Sequence, residues 1–353
     1  MTDSISRRAI LAFESSCDET AIALVEEGGR VVFQHLATQI EIHRRYGGVV
    51  PEVASRAHFS VMDELLGKSL VELENWKGQL VGIAATKGPG LIGPLIVGSA
   101  CAEGLAVSKK IPFTGVHHLR GHLASVLLDE TLEGSTLRER ADKLFPAWVV
   151  LASGGHTQVM AVEKDLSCRI LAETADDAAG ECFDKSAKLM GLPYPGGPEI
   201  ERMAKLVASD LDLARAQAFS LELPRPRSEE GFSFSGLKTA IRLKLQKFPE
   251  RVQDPAFAWA VQDAICASLV AGMKRAHKKH SATFSSKTWL FCGGVAANAA
   301  LRTRLEAWAI KERVGLRVPP LKYCTDNAAM IAASAWVQAP ELALSSCEAR
   351  IAL

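Results

Sequence analysis

Residues 9–25 read AILAFESSCDETAIALV, and residues 147–162 read AWVVLASGGHTQVMAV. Each is an apolar β-rich run, a polar turn with serine or glycine, a threonine, and a second apolar run. Short apolar runs bounded by turn residues predict buried strands at 9–14, 21–25, 147–152 and 157–162. The two copies start far further apart than any solenoid repeat. They read as two related lobes, each opening with a hairpin whose turn presents hydroxyls and backbone N–H groups. Chance likeness of two hairpins is the alternative.

Outward from these hairpins, further strands are expected at 31–37, 80–86, 113–116, 169–173 and 288–292. Helical patterns lie between and after them, at 56–73, 91–109, 118–129, 178–190, 200–208, 238–245, 255–280, 297–312 and 325–336. This alternation predicts an α/β architecture. Residues 130–143 are charged and lack an apolar stripe, so they read as a surface connection. Residues 223–231 (LPRPRSEEG) read as a second break.

The chain has 353 residues, enough for two domains or one large bilobal one. Its 48% hydrophobic and 23% charged residues exclude a disordered or fibrous protein. Lys+Arg 41 against Asp+Glu 40 leaves a formal charge of +1, so any RNA contact must come from local basic clusters. Those clusters are Arg44–Arg45, Lys109–Lys110, Arg225/Arg227, Lys238–Lys247 and 273–280, each readable as a solvated helix face. Eight cysteines with no C-x-x-C pair fit reduced thiols better than a disulfide scaffold or zinc ribbon. The most apolar stretch, 80–107, is broken by Lys87, Glu103, two prolines and six glycines, so no membrane span is expected. The apolar run after the N-terminal arginines stops at Glu14, too short for a signal peptide. The expectation is a cytoplasmic protein.

Three glycine-rich signals occur. Residues 87–93 (KGPGLIG) satisfy G-x-G-x-x-G, but the next strand ends in His117 and His118 rather than an acid, which disfavours a dinucleotide site. A helix N-terminus offered to an anion stays open there. Residues 153–157 (SGGHT) fill the second hairpin's turn, where paired glycines bring backbone amides close to a phosphate or simply close the turn. Residues 293–298 (GGVAAN) close a strand and start a helix. They suit either a flat adenine or ribose, with Asn298 hydrogen-bonding it, or close strand–helix packing.

His118 and His122 are four apart at a predicted helix start, so both rings face one way and suit a shared metal. Leu119 stands where H-E-x-x-H needs its glutamate, which removes the base of a zinc protease. A surface or core histidine pair is the alternative. A third ligand must come from elsewhere, and Asp326 in the polar 325–327 segment is a candidate. Asp177, Glu181, Asp184 and Lys188 share one helical face. Either Asp176 or Asp177 caps a solvated helix, or Asp184 accepts hydrogen bonds from ligand hydroxyls. No G-x-S-x-G supports a serine nucleophile.

Taken in order, ten segments resemble one family: 14–20 (ESSCDET), 47–58 (GGVVPEVASRAH), 88–93, 117–122 (HHLRGH), 153–158 (SGGHTQ), 176–185 (DDAAGECFDK), 194–198 (YPGGP), 234–239 (FSGLKT), 293–298 and 325–334 (TDNAAMIAAS). The chain resembles the bacterial TsaD family, the tRNA N6-adenosine threonylcarbamoyltransferases once called O-sialoglycoprotein endopeptidases. The resemblance implies an actin-like ATPase fold of the sugar-kinase and Hsp70 type, bilobal, with two related lobes around a nucleotide cleft. It implies transfer of the threonylcarbamoyl group of threonylcarbamoyl-AMP to N6 of adenosine 37, beside the anticodon, in tRNAs reading codons that begin with A. By matching motifs, His118, His122 and Asp326 would hold one divalent metal, Fe2+ or alternatively Zn2+. Leu151, Ala152, Ser153, Gly154, Gly155, Asp184, Gly197, Glu201 and Asn298 would bind the nucleotide-linked substrate. Asp18, Glu19 and His156 are the candidates for catalysis, and the sequence names no general base. Implied partners are tRNA and companion proteins of the TsaB and TsaE types. Arg120 stands where the family often has Glu, and Glu201 where an Asp is usual.

The expected domains are 1–114, completed by a C-terminal helix at 333–353, and 115–332, carrying the metal and nucleotide sites. Rival readings are a metallopeptidase, a small-molecule kinase or ATPase of the same fold, and a nucleotide-binding scaffold without enzyme activity.

Overall fold

The computed structural model describes residues 7–44, 50–129, 134–226, 228, 231–338 and 343–351. The residues before Arg7, Arg45, Gly47 and Gly48 of the second segment quoted above, residues 130–133 and Arg227 lie outside the described residues. So do residues 339–342 and 352–353. The chain divides into two compact units. One is Met1–Pro146 with Val162–Cys168 and Pro319–Leu353, the other Ala147–Ala161 with Arg169–Val318.

The first unit is built on five strands, β1 (Arg8–Glu14), β2 (Glu19–Glu26), β3 (Val31–Thr38), β4 (Gln79–Gly88) and β5 (Phe113–His117). Their order is β3-β2-β1-β4-β5, with β1–β2 and β2–β3 antiparallel and β1–β4 and β4–β5 parallel. In β1, β2 and β4 the apolar runs are continuous because both faces are covered, whereas the edge strand β3 is partly exposed. Leu11, Phe13, Ile22, Leu24 and Ile83 pack with Met62 and Leu65 of the helix Pro51–Asn75 and Ala102 and Ala106 of the helix Ile92–Lys109. The small-residue helix Ala328–Val337 packs against β1 and β2, where Ala12, Ala21 and Ala23 are also fully buried.

The second unit holds β6 (Ala147–Ala152), β7 (Thr157–Val162), β8 (Cys168–Thr174), β9 (Gly231–Phe232), β10 (Thr288–Cys292) and β11 (Gly315–Arg317). Their order is β11-β10-β6-β7-β8-β9, with β10 parallel to both β6 and β11. Three consecutive strands followed by two parallel additions on the first strand's free edge therefore occur twice. The likeness of the two hairpins extends to whole sheets. Among the described residues one helix, Pro255–His280, is long and apolar enough to cross a membrane, and 72% of its apolar window is buried inside the fold.

Four expectations need correction. The division lies at Pro146 rather than at 114, because β5 pairs with β4 (Ile83 beside Phe113) and a cut there would split a sheet. The histidines of 117–122 and Asp326 consequently belong to the first unit, not the second. Among the described residues no C-terminal helix fills 333–353: the helix ends at Val337, and residues 343–351 run non-helically along the sheet. There Leu344 N–H donates to Gly115 O (3.0 Å) and Glu348 N–H to Lys87 O (2.9 Å). Finally, the 130–143 connection contains a helix, Leu137–Leu144, fixed by a capping box between Thr136 and Glu139.

Candidate functional site

β5 runs directly into the helix His118–Ala124, and His117 Nδ1 caps it by accepting the Leu119 N–H at 3.2 Å. Residues four apart share a helix face, so the His118 and His122 rings stand edge to face, 4.8 Å between centroids. Asn327 caps the helix Ala328–Val337 by accepting the Met330 N–H at 2.9 Å, and this helix packs on His118–Ala124. Asp326, just before it, brings Oδ1 to 3.5 Å from His118 Nε2 and 3.2 Å from His122 Nε2. The structure thus joins the histidine pair to a carboxylate some 200 residues later in the sequence.

A residue that sequence reading missed completes this group. Glu14, fully buried at the end of β1, accepts the Ser16 N–H at 2.6 Å and the Thr86 hydroxyl at 2.6 Å. Its Oε2 lies 3.1 Å from His118 Nδ1, and Ser16 Oγ lies equally close. An acid closing a wholly apolar strand run was the only available signal. Asp18 and Glu19, from the turn after β1, come within 4.8 Å of the Asp326 carboxylate. His58 pins that turn, with Nδ1 2.7 Å from Thr20 Oγ1 and Nε2 3.0 Å from Cys17 O.

Crowding of acids sets the electrostatics. Burial, with Asp18 and Asp326 adding repulsion, pushes the Glu19 carboxyl up to about 11. Burial works the same way on Asp326, but the His118 charge and hydrogen bonds from both histidines outweigh it and hold Asp326 well below the usual range. Burial would discharge His118, yet Asp326 and Glu14 together keep it charged. Burial lowers the pKa of His58.

The donor set fits a divalent cation. Nδ1 of His122 is buried without a hydrogen bond, a cost of about 1–3 kcal/mol unless another partner takes it, while Nε2 faces Asp326 at 3.2 Å. Two imidazoles and one carboxylate are the ligands of borderline divalent ions with open positions. Glu14 occupies the place of the outer carboxylate that orients a ligating imidazole through its other nitrogen.

In the second unit the other expected residues gather at the carboxyl ends of β6 and β10. Leu151 and Ala152 end β6, and Leu151 pairs with Cys292 of β10. Gly293 follows at φ +91°, and a Cβ there would lie 2.4 Å from Ala152 O. Ser153 closes the turn on His156, accepting the His156 N–H on Oγ at 3.2 Å, and its carbonyl accepts the Gly180 N–H at 3.1 Å. Asp184, on the helix Ala179–Leu189, accepts the Gly196 N–H at 2.7 Å and so starts the helix Gly196–Ala204, which contains Gly197. Glu201 pairs with Lys205 at 2.8 Å and accepts the Ala299 N–H at 3.3 Å. Asn298 caps the helix Ala299–Glu312 through Leu301 N–H (3.0 Å) and donates to Gln262 Oε1 (2.8 Å).

The cap expected at Asp176 or Asp177 fails, and the anion reading of residues 87–93 loses two of its amides. The helix Ala179–Leu189 begins after Ala178 without a side-chain cap, and Asp176 instead binds the Ser233, Phe234 and Ser235 group. At residues 87–93 the Gly90 and Leu91 amides are taken by Ala349 O and Ser16 O, so they are not offered to an anion.

A family profile described as TsaD, tRNA N6-adenosine threonylcarbamoyltransferase, matches residues 30–333. The chain belongs to the TsaD family. The tRNA N6-adenosine threonylcarbamoyltransferase of Shouchella clausii is 42% identical over 330 residues, covering 92% of either chain. That of Pelobacter propionicus is 41% identical over 329 residues, covering 92% of this chain and 90% of its own. Full-length HypF in its phosphate- and nucleotide-bound form shares the fold, with a TM-score of 0.50 at 11% identity over 94% of this chain and 55% of HypF. The architecture is the actin-like ATPase fold expected from the sequence. As a TsaD, the chain is a transferase that modifies tRNA at N6 of adenosine, the activity that names both of these relatives. TsaD membership implies a divalent metal, and the His118–His122–Asp326 group is a set of residues able to hold one.

Proposed function

We propose that this protein transfers the threonylcarbamoyl group of threonylcarbamoyl-AMP to N6 of adenosine 37 in tRNAs that read codons beginning with A. The N6–carbon bond forms, the bond from the carbonyl carbon to the phosphate oxygen breaks, AMP leaves, and one N6 proton is given up. The observation carrying this reading is the buried approach of His118, His122 and Asp326 with Glu14 behind His118.

His118, His122 and Asp326 would hold the metal, which we assign as Fe2+, with Zn2+ compatible with the same donors. When bound, such an ion supplies Lewis-acid charge toward an anionic or carbonyl oxygen of the donor. The remaining work belongs to the chain. Leu151, Ala152, Ser153, Gly154 and Gly155 present backbone to the adenylate, in the place where open α/β sheets take ligands. Asp184, Gly197, Glu201 and Asn298 line the same end of the sheet and would hold the nucleoside. An exocyclic adenine amine is a weak nucleophile, so orientation should supply most of the acceleration. Asp18, Glu19 and His156 are the candidates for a catalytic role; Glu19, pushed up to about 11, holds its own proton and so is not the group that receives the one from N6. Companion proteins of the TsaB and TsaE types would act with this chain in the cytoplasm, where its tRNA substrates are.

Nucleoside analysis of tRNA from depleted cells tests the reading. Threonylcarbamoyladenosine should fall, and the purified protein with its companions should restore it in vitro. An unchanged level on depletion would overturn the assignment.

A further inference from the structure

The helices Ala179–Leu189 and Ser235–Lys247 pack together in the second unit, and Asp176 fixes the start of the latter by accepting from Phe234 N–H (2.7 Å) and Ser235 Oγ (2.7 Å). They border a cavity of about 460 Å³ lined by Lys185, Lys188, Leu189, Lys238, Thr239 and Arg242. Leu237, Ile241 and Leu245 face the core and so turn Lys238 and Arg242, four apart, to the same outer side. Asp177 holds two of the cations, 2.8 Å from Lys185 Nζ and 3.1 Å from Lys238 Nζ, while Glu181 lies 2.6 Å from Lys185. Lys188 and Arg242 have no ion-pair partner among the described residues. Four cations against two carboxylates leave the cavity positive in a chain of formal charge +1.

Some basic residues elsewhere are answered from within. Arg225 pairs with Asp263 at 2.9 Å, and Lys244 with Glu222 at 2.8 Å. Arg251, also on Glu222, lies over the Phe219 and Phe248 rings.

We propose that this cavity grips the phosphate backbone of the tRNA substrate, an inference that rests on the tRNA-modifying reading above. A near-neutral chain must concentrate its phosphate-binding charge locally. Asp177 pre-sets Lys185 and Lys238, and the two unpaired cations on either side remain available to the ligand. Arg242 offers the planar fork that binds phosphate oxygens bidentately, and Lys188 a point charge. Such contacts fix orientation without reading bases, so they should act alike on every substrate tRNA.

The test uses the full chain with its companions and an unmodified tRNA transcript, at salt concentrations from about 50 to 200 mM. Lys188→Gln/Arg242→Gln should weaken tRNA binding about tenfold or more and reduce the salt slope by about two, one per lost phosphate contact. KM for tRNA should rise while kcat at saturating tRNA holds, the pattern of lost uniform binding. Arg242→Lys should retain most of the affinity, and Lys188→Glu should lose more than Lys188→Gln. Both positions are exposed, and an unchanged thermal midpoint confirms the fold. Wild-type affinity and slope in the double variant would overturn the proposal. Loss of AMP binding with tRNA binding intact would also overturn it, making the cavity a small-anion site. Transfer by the wild type is read in the same samples: its absence overturns the functional reading itself, whereas an active wild type with an unaffected double variant overturns only this site.

Discussion

The turn after β1 and the turn after β6 stand at matching places in two sheets of matching order, yet they are made of different material. The first carries Asp18, flanked by Glu14 at the end of β1 and Glu19 at the start of β2, and the second carries Ser153, Gly154, Gly155 and His156. In both, the threonine that follows anchors a neighbouring helix: Thr20 binds His58 of Pro51–Asn75, and Thr157 accepts the N–H of Ala179. The scaffold is therefore shared and the chemistry is divided. One turn gathers charged side chains that fit a cation, and the other is mostly serine and glycine, which would let backbone approach a ligand if the reading proposed above holds.

The sharpest way to break this contrast is to remove charge from the first turn's group. Asp326→Ala deletes the carboxylate facing both histidines, and the purified variant should lose its metal and transfer below detection. Glu14→Gln keeps every ligand but weakens the carboxylate behind His118, so metal affinity should fall about 10- to 100-fold. Elemental analysis and chelator competition measure both. Asp326→Ala with wild-type metal content would make the group structural.

The second unit is tested by adding atoms rather than charge. A Cβ on Gly196 would lie 2.6 Å from both Asp184 Cα and Ala187 Cβ, so Gly196→Ala should cost about 1–3 kcal/mol in urea unfolding. A Cβ on Gly154 meets nothing within 4 Å. Gly154→Ala should then leave stability within about 0.5 kcal/mol of wild type while weakening a threonylcarbamoyl-AMP analogue in calorimetry. Unchanged affinity would mean that this turn only closes a hairpin.

Nine strands were legible in the sequence because each contains a short apolar run; in β1, β2, β6 and β7 that run is buried on both faces, whereas β3 and β8 keep exposed positions. The helix at 255–280 was legible to the residue, framed by Asp254 with Pro255 at one end and basic residues at the other. Strands β9 and β11 were not, since two or three residues carry no periodicity. The helix Leu137–Leu144 buries only Leu137, Arg140 and Ala141, too narrow a stripe to register. The histidine pair was visible because its spacing is local. Glu14 was hidden because its role needs β1, Thr86 on β4 and His118 together, and strand order is not written in any one segment. The domain boundary failed for the same reason.

The smallest expected effect separates the acids of the two units by their partners. Glu19 is crowded by other acids and pushed up to about 11, whereas Glu222, at the end of the helix Asp210–Glu222, is held down to about 2. Its hydrogen bonds come from Arg251 and Lys244, and Arg251 is itself buried among aromatic rings. A folded value below the ordinary 4.5 means that the unfolded chain binds the extra proton first as acid is added. The Glu222 contribution is therefore complete above pH 4.5 and is lost as pH falls toward about 2. Partial exposure to water makes it modest. Urea unfolding of wild type and Glu222→Gln at pH 7, 4.5 and 3 should show a stability gap at the first two values that narrows at the third. A gap constant across that range would show that the ion pair with Arg251 contributes nothing and that Glu222 acts only by packing.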